Sequence, residues 1–403
     1  MKQSWDLQHQ QIISSNEMKT GLQFHALLTD SAPRAHPPHH LQWESLAEME
    51  FEIKNIEMIG KANKTSVSEF ILLGFSDLPH LKFIISVTVF GIFMISALGN
   101  VGFLTLVCAD YRLQKPMYFF LSNLSILDIC NTSVTLYTLL DNLITGNKLI
   151  TFSACMAQLY FFMAFTSTEC SLLSTMAYDR YVAISNPLRY ALIMNKRACA
   201  LLASAAWTLG FLDVMPHLVL TSHFSFCNAN EINHFFCDSE ALVELSCSDR
   251  SSIETLIFAE GVYVGSIPLI LTLTSYVYII SAILRIRSAE GRSKAFSTCS
   301  SHLTVVILFY GTTIFFYMRP TSVYSPTQDK LFCLLYMGLI PMLNPIIYSL
   351  RNKDVKRALK NFSDVVMIYI DEGEKIPFQN NVTKMTCRLH VTTCYGVKSD
   401  RKA

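Results

Sequence analysis

The chain is poor in charge. Asp, Glu, Lys and Arg make up 16% of its 403 residues, against roughly 25% in an average soluble domain. With 51% hydrophobic residues, that shortage points to a lipid environment. The net charge of +1 provides no concentrated basic face for a phosphate backbone, which argues against a nucleic-acid partner. Catalytic signatures are missing as well: no zinc-ligand spacing, no phosphate-binding glycine loop, no nucleophile elbow. The span topology gathers no His, Cys and Asp on one face of a membrane, so the chain reads as a non-enzyme. The first twenty residues are polar and hold no apolar core before a cleavage site. A cleavable signal peptide is therefore not expected, and the first span serves as its own membrane signal.

What the chain does have is long apolar runs. Crossing a hydrocarbon core about 30 Å thick takes roughly 20 apolar residues in a helix, and seven stretches qualify. Phe83 to Ala109 carries no charge, Met117 to Leu140 carries only Asp128, and Leu149 to Tyr178 only Glu169. A fourth, about Ala198 to Val219, holds Asp213; the others are Gly261 to Leu284, Ala295 to Met318 and Leu331 to Leu350. Lys and Arg mark the cytoplasmic loops. They follow the first span (Arg112, Lys115), the third (Arg189, Lys196, Arg197), the fifth (Arg285, Arg287, Arg292, Lys294) and the seventh (Arg351, Lys353, Lys356, Arg357, Lys360). The segment from Ser222 to Asp249 instead holds Glu231, Asp238, Glu240, Glu244 and Asp249 with no Lys or Arg. The expectation is an all-α membrane protein, a seven-transmembrane helix bundle with its amino terminus outside.

The glycosylation acceptor Asn63-Lys64-Thr65 falls on the outer side and agrees with that orientation. Asn361 and Asn381 open similar triplets on the inner side, where no glycan is expected. Of twelve cysteines, Cys155, Cys227, Cys237 and Cys247 lie outside, where disulfides form. Four cysteines allow three connectivities, and sequence alone leaves them open.

Several motifs sit at span ends. Met176-Ala177-Tyr178-Asp179-Arg180-Tyr181-Val182-Ala183-Ile184 places an acid and an arginine at the inner boundary of the third span. The seventh ends in Pro341-Met342-Leu343-Asn344-Pro345-Ile346-Ile347-Tyr348. There Pro345 removes a helical hydrogen bond, and Asn344 is expected to meet the freed backbone groups. With Gly99-Asn100, Asp128 and Trp207 in the first, second and fourth spans, this set resembles the rhodopsin-like G-protein-coupled receptors. The extended Met176 to Ile184 string and three others narrow the resemblance to the odorant receptors: Pro116-Met117-Tyr118-Phe119-Phe120-Leu121-Ser122-Asn123-Leu124-Ser125, Ser275-Tyr276, and Lys294-Ala295-Phe296-Ser297-Thr298-Cys299-Ser300-Ser301-His302. Phe309-Tyr310-Gly311 stands where the wider superfamily carries a sixth-helix tryptophan and proline, a departure shared with odorant receptors. The resemblance runs from about Lys61 to Phe362.

The resemblance implies a pairing of Cys155 with Cys237, leaving Cys227 to Cys247. Such bonds would pin the second outer loop over the bundle mouth as a lid, each contributing about 2 to 4 kcal/mol. Charges inside spans cost about 2.5 to 3.5 kcal/mol, so Asp128 and Glu169 need a reason to be there. The resemblance sets them facing each other near Asn344, sharing a sodium ion or a proton; a hydrogen-bonded cluster without an ion is the alternative. It also implies a small, volatile, largely apolar odorant between the outer halves of the third, fifth, sixth and seventh helices. Helical spacing selects Phe162, Met163, Thr166 and Ser167 on the third and Tyr310, Thr313, Ile314 and Tyr317 on the sixth. Glu260, eight residues before Pro268, is about 12 Å above it and, facing inward, would be the main polar discriminator; a solvated helix end is the alternative. Phe162 stands where aminergic relatives carry their ammonium-binding aspartate.

At the inner face, Asp179, Arg180, Tyr181 and Tyr276, with Asn344, Pro345 and Tyr348, are the implied coupling residues for a heterotrimeric G protein of the stimulatory olfactory type. The implied location is the plasma membrane of olfactory sensory neurons. A transporter or channel would need internal repeats or broken helices in symmetric positions, and the two halves of the chain show neither. Residues 1–60 are polar, mixed in charge and without a sustained period, and contain Pro33, Pro37 and Pro38, which reads as a disordered extension, with Met58 a candidate start of translation. The extension's His9, His25, His36, His39 and His40 read as solvated coil, a metal role being the alternative. The receptor domain covers 61–362; Asp354 to Phe362 reads as a short amphipathic helix on the inner membrane surface, and 363–403 as a disordered cytoplasmic tail. These unusual termini keep open a non-signalling or poorly trafficked product of the same fold.

Overall fold

A computed structural model describes residues 67–226, 230–317 and 326–371, all within one contact unit, Lys64–Ala403. Its long helices are α1 (Lys82–Ala109), α2 (Pro116–Thr145), α3 (Phe152–Ser185), α4 (Lys196–Ser222), α5 (Ser251–Leu284), α6 (Ala289–Tyr317), α7 (Pro326–Arg351) and α8 (Lys353–Asp371). Short helices at Tyr190–Ile193 and Ser239–Leu245 interrupt the loops before α4 and α5. Five helical stretches among the described residues, in α1, α2, α4, α5 and α7, are long and apolar enough to cross a membrane. Helices α3 and α6 are more polar because they are packed among the others: α3 touches α2, α4, α5 and α6, and α6 touches α3, α5 and α7. A helix facing protein on most sides can carry Glu169, Asp179 and hydroxyls that a lipid-facing one cannot.

The breaks in these helices have identifiable causes. Helix α4 bends at Val214, where Pro216 follows at the start of its second segment Met215–Ser222 and denies the preceding turn a donor. Helix α5 widens into a π-helical turn at Gly261–Ser266, just before Pro268. Helix α7 carries Pro341 and Pro345 internally. Pro345 has no N–H for the carbonyl four residues back, which belongs to Pro341. Asn100 of α1 supplies the missing donor, its Nδ2 lying 3.0 Å from that carbonyl. This corrects the expectation for Asn344, whose amide instead reaches across to α2. Helices α3 and α4 approach closely at Gly210, where an added Cβ would sit 2.8 Å from the Thr168 amide nitrogen and 2.9 Å from the Ala164 carbonyl.

The expectation of an all-α chain needs one correction. A three-stranded sheet caps one end of the bundle in the order β2-β1-β3, with β1 at Glu69–Leu72, β2 at Leu149–Thr151 and β3 at Glu231–Ile232. β1 pairs antiparallel with β2, Phe70 opposite Ile150, and parallel with β3, Leu72 opposite Ile232. Alternation along β1 turns Phe70 and Leu72 inward onto a cluster with Leu159, Phe226, Ile232 and the Cys155–Cys237 disulfide. The sheet takes residues 149–151 from the expected third span, and α3 starts at Phe152, capped by Thr151 Oγ1 on the Ala154 amide. Helix α2 stops where Gly146 adopts φ 77°, a left-handed conformation that costs other residues a Cβ clash.

A second tie holds the cap down. Gln158 on α3 donates to the Val134 carbonyl of α2 at 2.7 Å and accepts from the Cys237 amide at 2.9 Å. Replacing Cys155 by Ser removes the covalent tie to α3 and leaves the loop held there by the Gln158 bond, beside its β3 pairing with β1. Surface labelling of Cys155→Ser in intact cells is expected to fall far below wild type. Wild-type surface levels together with a wild-type ligand response would show that the lid does not depend on the bond.

Candidate functional site

At the capped end, the loop from Phe224 to Asp249 covers the bundle mouth. Cys237 is bonded to Cys155; Cys247 is also disulfide-bonded, while its expected partner Cys227, like the acceptor Asn63, lies outside the described residues. His234 stacks on Phe235 and meets Phe236 edge-on, and the three rings pack with centroids 4.6 to 5.1 Å apart. Burial pushes the His234 imidazole down to about 4, so it is neutral at physiological pH. Lys330, 1% exposed near the capped end of α7, reaches Asp77 beside the sheet at 3.4 Å.

Beneath this cap lies a polar group of side chains from α3, α4 and α5. His217 is 1% exposed; its Nδ1 lies 2.9 Å from Glu260 Oε2 and its Nε2 2.8 Å from the Ser239 hydroxyl of the loop helix. A carboxylate accepts only, so Nδ1 carries the proton and Ser239 donates to Nε2. Glu260 Oε1 is buried with no hydrogen-bond partner. Because α5 extends outward to Ser251, Glu260 is inside a helical stretch and faces α4. Ser167 of α3 donates to Asp213 of α4 at 3.3 Å, and Asp213 is within electrostatic range of Glu260.

The other residues selected by helical spacing divide. Phe162 packs edge-on against Phe236, centroids 5.1 Å apart, whereas Met163 packs with the sheet cluster. Adjacent helical residues point about 100° apart, and here that is enough to place them in different clusters. Thr166 and Thr313 each donate their hydroxyl to their own helix. Tyr310 sits deeper, its buried hydroxyl beside Cys170 and Glu169. Ile314 and Tyr317 are on α6, but their side chains lie outside the described ones.

In mid-bundle, Asn344 Nδ2 lies 3.0 and 3.3 Å from the two Asp128 oxygens, and Asp128 is 1% exposed. Glu169 is buried within electrostatic range of Asp128, with Oε1 unpartnered. Trp207 Nε1 donates to Asn123 Oδ1 at 3.0 Å, tying α4 to α2. At the opposite end from the cap, Asp179 is fully buried and accepts from the Tyr190 hydroxyl at 2.8 Å. Arg180 Nε stands 4.0 Å from Asp179 Oδ2 and is otherwise unpartnered. Its charge acts on Tyr276, His302 and Tyr348 from α5, α6 and α7. Tyr276 is 2.8 Å from His302 Nδ1 with the rings stacked, Tyr181 packs on Tyr278, and Tyr348 is buried with a free hydroxyl. Lys115 donates to Asp354 of α8 at 2.7 Å, which holds that carboxyl below its usual range.

Sequence reasoning missed His217, Ser239 and the role of Asp213. His217 follows Asp213 by four residues, one helical turn, and that spacing on a span otherwise apolar was the available signal. A cleft of about 410 Å³ at the capped end is lined by Glu240, Val243, Glu244, Arg250, Glu254, Ile257 and Phe258; it is separate from the buried group. Among the described residues no cluster of three or more His, Cys, Asp or Glu is placed to hold a metal. The amino-terminal histidines lie outside those residues.

Comparison with known proteins matches residues 89–364 to the olfactory receptor family. The chain is 47% identical over 302 residues to olfactory receptor 8U9 of Mus musculus, covering 75% of this chain and 96% of that protein. It is 45% identical over 300 residues to olfactory receptor 5AR1 of Homo sapiens (74% and 97% covered). To olfactory receptor 13F1 of Homo sapiens it is 47% identical over 299 residues (74% and 94% covered).

Proposed function

The chain belongs to the olfactory receptor family, a family of membrane receptors and not of enzymes, and on that footing we propose that it is an odorant receptor. It takes small, volatile, mostly apolar molecules within the bundle and activates a heterotrimeric G protein of the stimulatory olfactory type, raising cyclic AMP. Its site is the plasma membrane of olfactory sensory neurons. Helices α1 to α7 each cross the bilayer with the amino terminus outside. This orientation agrees with the Lys and Arg loops and puts the disulfide-bonded cap on the oxidising side. Helix α8 lies on the inner surface, burying Val355 and Ala358 while Lys356, Arg357 and Lys360 are exposed. The receptor domain is 61–362, glycosylated at Asn63, between an extension of 1–60 and a tail of 363–403, into whose first residues α8 continues as far as Asp371.

The observation that carries the reading is Arg180. A guanidinium only 12% exposed, incompletely paired, and in range of groups on α5, α6 and α7 is an expensive arrangement in a static bundle. It suits a bundle with a second state, in which α6 tilts and Arg180, Tyr181 and Tyr276 meet the alpha subunit. Ligand contact at the outer end, through Ser167 and Glu260, with Phe162, Met163, Thr166, Tyr310, Thr313, Ile314 and Tyr317 as walls, biases that equilibrium. Pro345 and the Asp128, Glu169 and Asn344 cluster between the two ends give α7 room to shift. The cluster offers hard oxygen donors, one of them an orphaned Glu169 oxygen, which fit a sodium ion or a shared proton.

Arg180→Ala is expected to keep ligand binding and abolish nucleotide exchange in membranes with added G protein; normal exchange by that variant counts decisively against the mechanism. For the core cluster, the melting temperature of purified receptor is expected to rise when sodium replaces choline, and not to rise in Asp128→Asn. Equal response to both cations in wild type assigns a shared proton instead. Glu260→Gln keeps the shape and removes the charge, so the ranking of a panel of volatiles is expected to shift between polar and apolar compounds. Unchanged ranking and potency would reduce Glu260 to a structural partner of His217.

A further inference from the structure

We propose that the polar group between α3, α4 and α5 selects a small protonated amine, its ammonium seated between Asp213 and Glu260. This rests on the odorant-receptor reading and names the ligand class for that site. The position that anchors ammonium groups in aminergic receptors is filled here by Phe162, so an amine site has to draw its negative charge from elsewhere. Helices α4 and α5 supply it.

Charge balance comes first. Asp213 and Glu260 act on each other electrostatically. There is no Lys or Arg from 152 to 179, from 198 to 222 or from 251 to 284, the portions of α3, α4 and α5 around the site. The cation-forming group that touches it is His217, which offers at most one positive charge against two acids. Two acids sharing a partly desolvated site repel each other, and a bound cation relieves that repulsion.

Hydrogen bonding points the same way. The group is rich in acceptors: Glu260 Oε1 is buried with no donor, and Asp213 receives one hydroxyl, from Ser167. An unsatisfied buried acceptor is costly and is best met by a charged donor. An ammonium brings three donors and a positive charge. An alcohol of the same skeleton brings one donor and no charge, and a carboxylate adds a third negative charge. The expected order is amine, then alcohol, then carboxylate.

His217 is a positioning residue in this scheme. Its two ring nitrogens hold Glu260 Oε2 and the loop's Ser239, which fixes the carboxylate and leaves Oε1 as its open acceptor. The π-helical turn at Gly261–Ser266 follows at once; such turns re-aim the residues beside them and recur at functional sites. The outer loop, with Glu231, Asp238, Glu240, Glu244 and Asp249 and no Lys or Arg from 222 to 249, favours the approach of cations.

The test uses isopentylamine, isopentanol and isopentanoate, three compounds on one carbon skeleton, against the full chain. Binding is read as thermal stabilisation of detergent-purified receptor, which does not require G-protein coupling, and signalling as a cyclic-AMP response in cells. Isopentylamine is expected to reach half-effect at a concentration about tenfold or more below isopentanol, with isopentanoate weakest. Glu260→Gln and Asp213→Asn are each expected to erase about tenfold of that preference with little change for the alcohol. Tighter binding of the alcohol or the acid, a preference that survives both substitutions, or no binding by any of the three overturns the proposal. If neither variant reaches the surface, the wild-type order alone decides. Amine binding without any cyclic-AMP response upholds the ligand class and counts against the coupling reading. A response to volatiles that lack the amine, with no amine binding, does the reverse.

Discussion

A polar group inside a hydrocarbon layer has only the protein to bond to, and the packing of this bundle follows from that constraint. The clearest case is the Pro341 carbonyl, deprived of its helical partner by Pro345. In water the loss would be trivial; in lipid it costs several kcal/mol. Asn100 meets it at 3.0 Å and in doing so fixes the rotation of α1 against α7. The same logic joins α2 to α7 through Asp128 and Asn344 and α4 to α2 through Trp207 and Asn123. Apolar contacts alone would let these helices slide, because lipid tails offer nearly equivalent surface. The polar bonds remove that freedom at a small set of points.

Several buried polar atoms among the described residues lack hydrogen-bond partners. They include Glu260 Oε1 near the cap, Glu169 Oε1 in mid-bundle, and the Arg180 Nε donor and the Tyr348 hydroxyl toward the end opposite the cap. Buried polar groups that lack partners are a high-energy feature in a fixed structure. Distributed along the length of a receptor, they are groups that a ligand, an ion or a second arrangement of α6 and α7 can satisfy.

Much of this was legible in the sequence. Apolar length identified the helices, since it depends on composition over windows of twenty residues. The Cys155–Cys237 bond and the Asp128–Asn344 contact came from resemblance, because long-range pairing leaves no local trace. The sheet was not legible: strands of two to four residues are too short for alternation to register. The donor for the Pro341 carbonyl was assigned to Asn344, the nearest amide in sequence, when the nearest in space was on α1. Helical spacing grouped Phe162 with Met163, yet the burial that separates them is decided by the loop above. His217 and Glu260 are 43 residues apart, and no periodicity links them.

The sheet also sets an order of events during synthesis. Ile71 pairs with Glu231, so β1 emerges about 160 residues ahead of one of its two neighbours. At roughly 5 to 20 residues per second, its edge stays open for about ten to thirty seconds while most of the bundle is still being made. An unpaired strand ending in Phe70, Ile71 and Leu72 is a template for pairing with the wrong chain. The yield of correctly assembled molecules therefore depends on how well that edge is shielded while translation continues, and less on the final stability of the bundle. Residues that slow translation between α3 and β3 lengthen the vulnerable interval without altering a single contact in the finished protein.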